Sequence, residues 1–142
     1  MKSLLANVDV PDIQAGISFY RDGLGLRFAR FLTEQVAELF LGDVAVYLLE
    51  KEEGSRACSA SSAQRSYGRH WTPVHLDFIV EDIEQAVEKA LRFGAKVDKP
   101  VTVHPWGKIG VLADPFGNGF CLIEFAGRGY DEIARPMGKN VV

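Results

Sequence analysis

The feature that most narrows the folds open to this chain is that its two halves repeat one another. Asn7-Val-Asp-Val-Pro-Asp-Ile-Gln-Ala-Gly-Ile17 matches Asp77-Phe-Ile-Val-Glu-Asp-Ile-Glu-Gln-Ala-Val87 at a shift of 70 positions (87 − 17). Val10 falls on Val80, Asp12 on Asp82, Ile13 on Ile83 and Ile17 on Val87. Further along, Val46-Tyr-Leu-Leu-Glu50 matches Phe120-Cys-Leu-Ile-Glu124 at a shift of 74 (124 − 50). Self-similarity at a fixed period marks copies of one structural unit, here strand, helix and further strands. The second copy closes on two apolar runs joined by Asp114-Pro-Phe-Gly-Asn118. Pro115 has φ preset, Gly117 can take positive φ, and Asp114 and Asn118 can bond nearby backbone, so this stretch reads as a β-hairpin.

Taken in order, Leu4 to Val10 reads as a strand ended by Pro11, with Asp12 as the N-cap of a helix. Ile13, Ile17, Tyr20 and Leu24 form its apolar face, and Gly23 and Gly25 stop it. Arg27 to Phe31, Val36 to Leu41 and Val44 to Leu49 are three more strands, with a tight turn at Gly42-Asp43. The second copy opens with a strand over Val74 to Val80 and a helix capped by Asp82. Gln85 stands where a reciprocal capping bond forms. Ile83, Ala86, Val87, Ala90 and Leu91 make the apolar face, and Gly94 suits the left-handed position after it. Strands over Lys96 to Lys99, Lys108 to Ala113 and Phe120 to Phe125 complete the copy. The polar stretch Lys51 to Arg69 reads as a mobile linker that covers a pocket or lies along a partner, with Arg65 and Arg69 as solvated loop residues. This predicts unit one over 4–50, a linker over 51–72, unit two over 73–126 and a tail over 127–142, anchored by Tyr130, Ile133 and Met137. All of it fits one domain, since a domain takes about 100–200 residues.

Hydrophobic content of 47% and charged content of 25% are ordinary for a globular chain. A formal net charge of −3 without a basic block argues against a nucleic-acid partner. Asn7 and Asp9 interrupt the apolar start, so neither a secretory signal nor a membrane span is expected. Cys58 and Cys121, in unlike surroundings, give no disulfide framework, and a cytoplasmic location is the expectation.

Val10-Pro-Asp-Ile13 leading to Phe19-Tyr20 and Gly23-Leu-Gly-Leu26, then Val74-His-Leu-Asp-Phe78, Pro105-Trp-Gly107 and Asp114-Pro-Phe-Gly-Asn118, resemble the vicinal oxygen chelate superfamily. That group holds glyoxalase I, bleomycin-resistance proteins and extradiol dioxygenases. The resemblance spans roughly residues 4 to 126. It implies an α+β fold of two tandem βαβββ units forming an open, U-shaped mixed-sheet barrel, with helices outside and the cleft as the site. It also implies a homodimer.

In metal-dependent members the resemblance puts ligands, usually His or Gln and Glu, on the first and last strands of each unit. Carried over here, the positions are His75, its mate Leu5 (75 − 70), Cys121 and its mate Tyr47 (121 − 74). Leucine offers no donor, a neutral phenol is a poor one, and a thiol in an apolar strand resists ionisation. Glu50 and Glu124 lie three residues further on, an odd step that turns them to the opposite face unless a bulge intervenes. No metal site and no cofactor are therefore expected, with a divalent metal as the minor alternative.

His75 is either a general acid/base with Asp77 two residues on and on the same face, or a hydrogen-bonded core histidine. Asn7, Tyr47, His75, Trp106 and Cys121 are the candidate ligand-binding residues. Trp106 is a stacking platform or core, Cys121 a reactive thiol or an inert apolar residue, and His104 a loop residue. The preferred function is a protein that binds a small organic molecule in the cleft. The alternatives are a metal-dependent lyase or isomerase of the lactoylglutathione lyase type, and a metal-free enzyme using His75 and Asp77.

Overall fold

The computed structural model describes residues 4–135 of the 142-residue chain. Unit one runs β1 (Leu5–Val10), α1 (Ile13–Ile17), a π-helical turn (Ser18–Gly23), β2 (Arg27–Thr33), β3 (Val36–Leu41) and β4 (Val44–Glu50). Unit two runs β5 (Leu76–Ile79), α2 (Ile83–Arg92), β6 (Lys96–His104), β7 (Gly107–Ala113) and β8 (Gly119–Phe125), followed by a 3-10 turn (Gly129–Glu132). The sheets are ordered β1-β4-β3-β2 and β5-β8-β7-β6. β1 is parallel to β4 and β5 to β8, and the other pairings are antiparallel. This is the expected pair of βαβββ units, and the two sheets stay separate rather than closing into a barrel.

The helices seat on their sheets through matching polar devices. Asp12 and Asp82 cap α1 and α2, accepting from Ala15 N at 2.7 Å and Gln85 N at 2.9 Å. Glu50 and Glu124, at the ends of β4 and β8, accept from the first helical N–H groups, Ile13 and Ile83, each at 2.8 Å. Both glutamates thus face the helices, as their odd step along the strand predicts. The Gln85 side chain bonds the Asp82 carboxylate instead of closing a reciprocal capping box. In unit one Gly16 lets α1 sit close to the sheet, since a Cβ there would lie 3.1 Å from Val10 and 3.3 Å from Leu48.

Two elements depart from their expected form. The first helix loosens into a π-helical turn, with Leu24 N donating to Phe19 O. Two consecutive aromatics of this turn, Phe19 and Tyr20, are buried in the core. β6 runs on through Pro100 to His104. It is an edge strand with two irregularities in its register against β7, where a proline's missing N–H costs no ladder bond. In the tail, Tyr130 packs on Trp106 and Phe125, Ile133 is exposed, and Met137 lies outside the described residues.

One buried group joins the units. Asp114 is 1% exposed, and its carboxylate accepts four bonds. Phe116 N and Asn118 N donate at 2.8 and 2.9 Å, and Asn118 Nδ2 donates at 2.9 Å, which shapes the turn before β8. The fourth donor is the Tyr20 hydroxyl of unit one, at 2.8 Å. Beside it Phe19 meets Phe120 edge-on, and Phe120 meets Phe78. Asn118 Nδ2 also reaches the Asp9 carbonyl of β1 at 3.3 Å.

Asp114→Ala strands several buried donors and is expected to cost about 3 kcal/mol or more, whereas Tyr20→Phe loses one bond and costs about 1 kcal/mol. Burial first, then Asp114, pushes the Tyr20 phenol well above its ordinary value. A raised pKa contributes stability at low and neutral pH that is lost as pH rises through the folded value. The alkaline fall in stability should therefore be shallower in Tyr20→Phe, measured by urea unfolding across pH.

Candidate functional site

Strand alternation sends one side-chain row of each sheet to the helices and the other to the open face. On the open face of unit two, Asp77 of β5 stands in register with Cys121 of β8. His75, just before β5, brings Nε2 to 3.2 Å from Asp77 Oδ1. One donor atom each from His75, Asp77 and Cys121 lies within 4.8 Å of the others. Burial first, then the Asp77 carboxylate, pushes the Cys121 thiol up to about 11.

The matching positions of unit one hold a different network. Leu5 is half exposed and carries no donor. The Tyr47 hydroxyl donates to Glu38 Oε1 at 2.7 Å, and Arg30 Nε donates to Glu38 Oε2 at 2.7 Å. The Arg30 and Tyr47 bonds hold the 6%-exposed Glu38 below the usual carboxylate range, and the same bond to Glu38 raises Tyr47. Glu38 is a residue that sequence reading missed. Its signal was a lone charge within the apolar run Val36-Ala-Glu-Leu-Phe-Leu41, which the antiparallel register sets directly beside Tyr47.

A cavity of about 860 Å³ opens between β1 and β5. Phe78, Phe120 and Tyr20 form its inner wall, with Asn7 and His75 on its flanks. Its roof is the segment 63–72, which is built as an ordered strap. Gly54 N donates to Arg65 O and Arg65 N to Ser55 O, folding the segment back on itself. Arg65 and Arg69, expected as solvated loop residues, are instead its two anchors. Arg65 Nε lies 2.6 Å from Asp9 Oδ2 of β1, with its side chain only 17% exposed. Arg69 pairs with Asp98 of β6 at 2.7 Å and donates to Gly117 O at 3.2 Å. The strap rests on the closing turn, where Gly117 has φ +85° and a Cβ would fall 2.0 Å from Gly68 O. Tyr67 and Trp71 come with the strap, and Trp71 tilts against the His75 ring at 5.2 Å. Aromatics in an otherwise polar linker were the signal available in the sequence.

The candidate residues are thus divided among four places. Asn7 and His75 line the cavity, and Asp77 and Cys121 lie behind His75 on the open face. Tyr47 belongs to the Glu38 network. Trp106 stacks on His104 at 5.1 Å and packs on Phe125 and Tyr130, away from the cavity lining.

These residues do not fit the metal of the superfamily's metal-dependent members. Of the four positions, one holds an imidazole, one a leucine, one a phenol engaged by Glu38, and one a thiol held protonated. Unit one contributes neither an imidazole nor a carboxylate at these positions, so the nitrogen-and-carboxylate set that such members use is incomplete here.

The fold is that of the glyoxalase, bleomycin-resistance and dioxygenase superfamily. Residues 6–123 match the family described as a glyoxalase-like domain, and the chain belongs to that family. No curated protein matches the sequence. Similar solved structures include a hypothetical protein from S. aureus, 21% identical over 87% of this chain and 97% of that one, with a TM-score of 0.66. A lactoylglutathione lyase from Agrobacterium tumefaciens is 21% identical over 87% of this chain and 94% of that one, with a TM-score of 0.60. The genomically encoded fosfomycin resistance protein FosX from Listeria monocytogenes is 14% identical over 89% of this chain and 94% of that one, with a TM-score of 0.66. At these identities the likeness is one of fold.

With its thiol displaced to about 11, Cys121 should resist alkylation at neutral pH while exposed Cys58 reacts. Mass spectrometry after iodoacetamide treatment should find one modified cysteine in the folded protein and two in urea. The contribution of the protonated thiol to stability is present below the ordinary thiol range and lost as pH rises through about 11.

Proposed function

We propose that this chain binds a small organic molecule in the cavity beneath the strap and does so without a metal ion. The carrying observation is that an aromatic-lined cavity of about 860 Å³ lies beside the four positions where the superfamily carries its ligands, which here read Leu5, Tyr47, His75 and Cys121. Ligand cavities run to about 300–1,000 Å³, mostly apolar with a few polar groups, and this one has that make-up. Asn7, Arg65 and His75 supply the polar contacts, and Trp71 and Tyr67 cover the bound molecule. Unpaired cysteines suit a reducing cytoplasm, and no described helix is long and apolar enough to cross a membrane. Half-exposed Phe31, Leu32 and Val44, away from the cavity lining, favour a homodimer that covers part of unit one.

A second reading has its own observation. His75 and Asp77, 3.2 Å apart at the cavity flank, form an acid–base pair of the kind that moves a proton without metal. Under that reading His75 touches the substrate and Asp77 orients the ring. A lyase of the lactoylglutathione type is disfavoured because the donor set for its metal is incomplete.

Protein purified without added metal or chelator should hold substoichiometric transition metal by elemental analysis, and EDTA should leave its melting temperature unchanged. Tightly held stoichiometric metal would overturn the reading. In a small-molecule screen followed by fluorescence titration, Trp71→Ala should weaken a hit about tenfold through loss of one aromatic contact. Turnover abolished by His75→Ala, with the fold retained by circular dichroism, would favour the second reading.

A further inference from the structure

Two walls of the cavity are main chain as much as side chain. β1 and β5 each stand at the edge of their sheet, bonded to a neighbour on one side only. Along a strand, the N–H and C=O of one residue point to one side and those of the next residue to the other. Val10 O accepts from Lys51 N, at the end of β4, at 3.0 Å. Ala6 and Val8 therefore also bond toward β4, while Leu5, Asn7 and Asp9 turn their main-chain groups outward. For Asp9 the outward direction is seen directly, because its carbonyl accepts from Asn118 across the gap. By the same alternation Val80 N, donating to Ile123 O at 2.8 Å, turns Asp77 outward from β5, and His75 stands one residue before that strand. Leu5, Asn7 and His75 line the cavity. The outward main-chain groups of Leu5 and Asn7 thus face an open, largely apolar cleft and form an edge that another strand can pair with.

The charge of the lining narrows the occupant. Apart from tyrosines, its ionisable residues are Asp9, Arg65, His70 and His75, and Asp9 and Arg65 neutralise one another at 2.6 Å. Among the described lining residues no lysine or second arginine is left over for a phosphate, and no second carboxylate for an amine. Phe78 and Phe120 on one side and Trp71 on the other suit apolar or aromatic substituents.

We propose that the cavity takes a short, uncharged, peptide-like molecule lying extended along the outer edge of β1. It pairs main chain to main chain at Leu5 and Asn7, with the edge of β5 at His75 opposite. This rests on the reading of the cavity as the binding site and specifies the chemistry it selects. Leu5 and Asn7 are two residues apart, about 7 Å along a strand, so about three ligand residues cover both.

The test uses three uncharged probes on the full chain: acetyl-Val-Phe-Val-amide, the same tripeptide N-methylated at its central amide, and the aromatic dye prodan. The tripeptide should bind and displace prodan, and N-methylation should weaken it about tenfold, the loss of one main-chain bond. In ¹⁵N spectra the Leu5 and Asn7 amides should shift, and their hydrogen exchange should slow about tenfold or more on binding. If prodan binds but the tripeptide does not, or the N-methylated form binds as well, the peptide chemistry is overturned and the cavity reading stands. If neither binds, both fall. If the same amides are protected without any probe, in step with a concentration-dependent dimer, a second copy covers the edge and the proposal is overturned.

Discussion

The interaction on which this structure most depends is the buried carboxylate of Asp114. Burial pushes it above the ordinary carboxylate range, and the donors around it pull the other way. Three of those donors come from its own turn, and the fourth is Tyr20 of the other unit. A local turn motif therefore also fixes how two similar units meet. Asn118 extends the joint to the β1 main chain, so β1 keeps its position relative to the hairpin that holds Cys121. Without that joint the gap between β1 and β5 has no defined width, and the cavity no defined shape.

The strap depends on the same turn. Gly117 leaves room for the Gly68 main chain to pass against it, and a side chain there would push the strap off, whereas one at Gly119 would displace only the Arg69 guanidinium. Two ion pairs then tie the strap across both units, Arg65 to β1 and Arg69 to β6. Such pairs are worth little on an open surface and more where solvent is partly excluded, as it is around Arg65. The roof of the cavity is thus held by charge at its ends and by the absence of side chains beneath it. The two open faces meanwhile diverge chemically, one built on Arg30, Glu38 and Tyr47 and the other on His75, Asp77 and Cys121.

Much of this was legible from spacing. The 70- and 74-residue shifts gave the two units, and Asp12 and Asp82 gave the helix starts. The odd step from Tyr47 to Glu50 and from Cys121 to Glu124 correctly kept both glutamates off the open face, because strand alternation is a local rule. Less legible was anything that depends on what lies across the fold. Arg65 gains its role from Asp9, 56 residues away, and Glu38 gains its own from a register that no composition reveals. The π-helical turn that holds buried Phe19 and Tyr20 also lay beyond a reading based on regular helical period.

By itself, the sequence determined the repeated βαβββ plan, the closing turn and the residue types, Leu5, Tyr47 and Cys121, at three positions where the resemblance puts metal ligands. Each of these is set by residue type and local periodicity. Only the tertiary structure decided that a polar linker becomes a roof and that the cavity lies between two strand edges. It also separated Trp106 from that cavity while bringing Trp71 to it. The reason is physical: ion pairs, edge-to-edge gaps and close backbone approaches arise between residues far apart in the chain, and their energies exist only once the units have met.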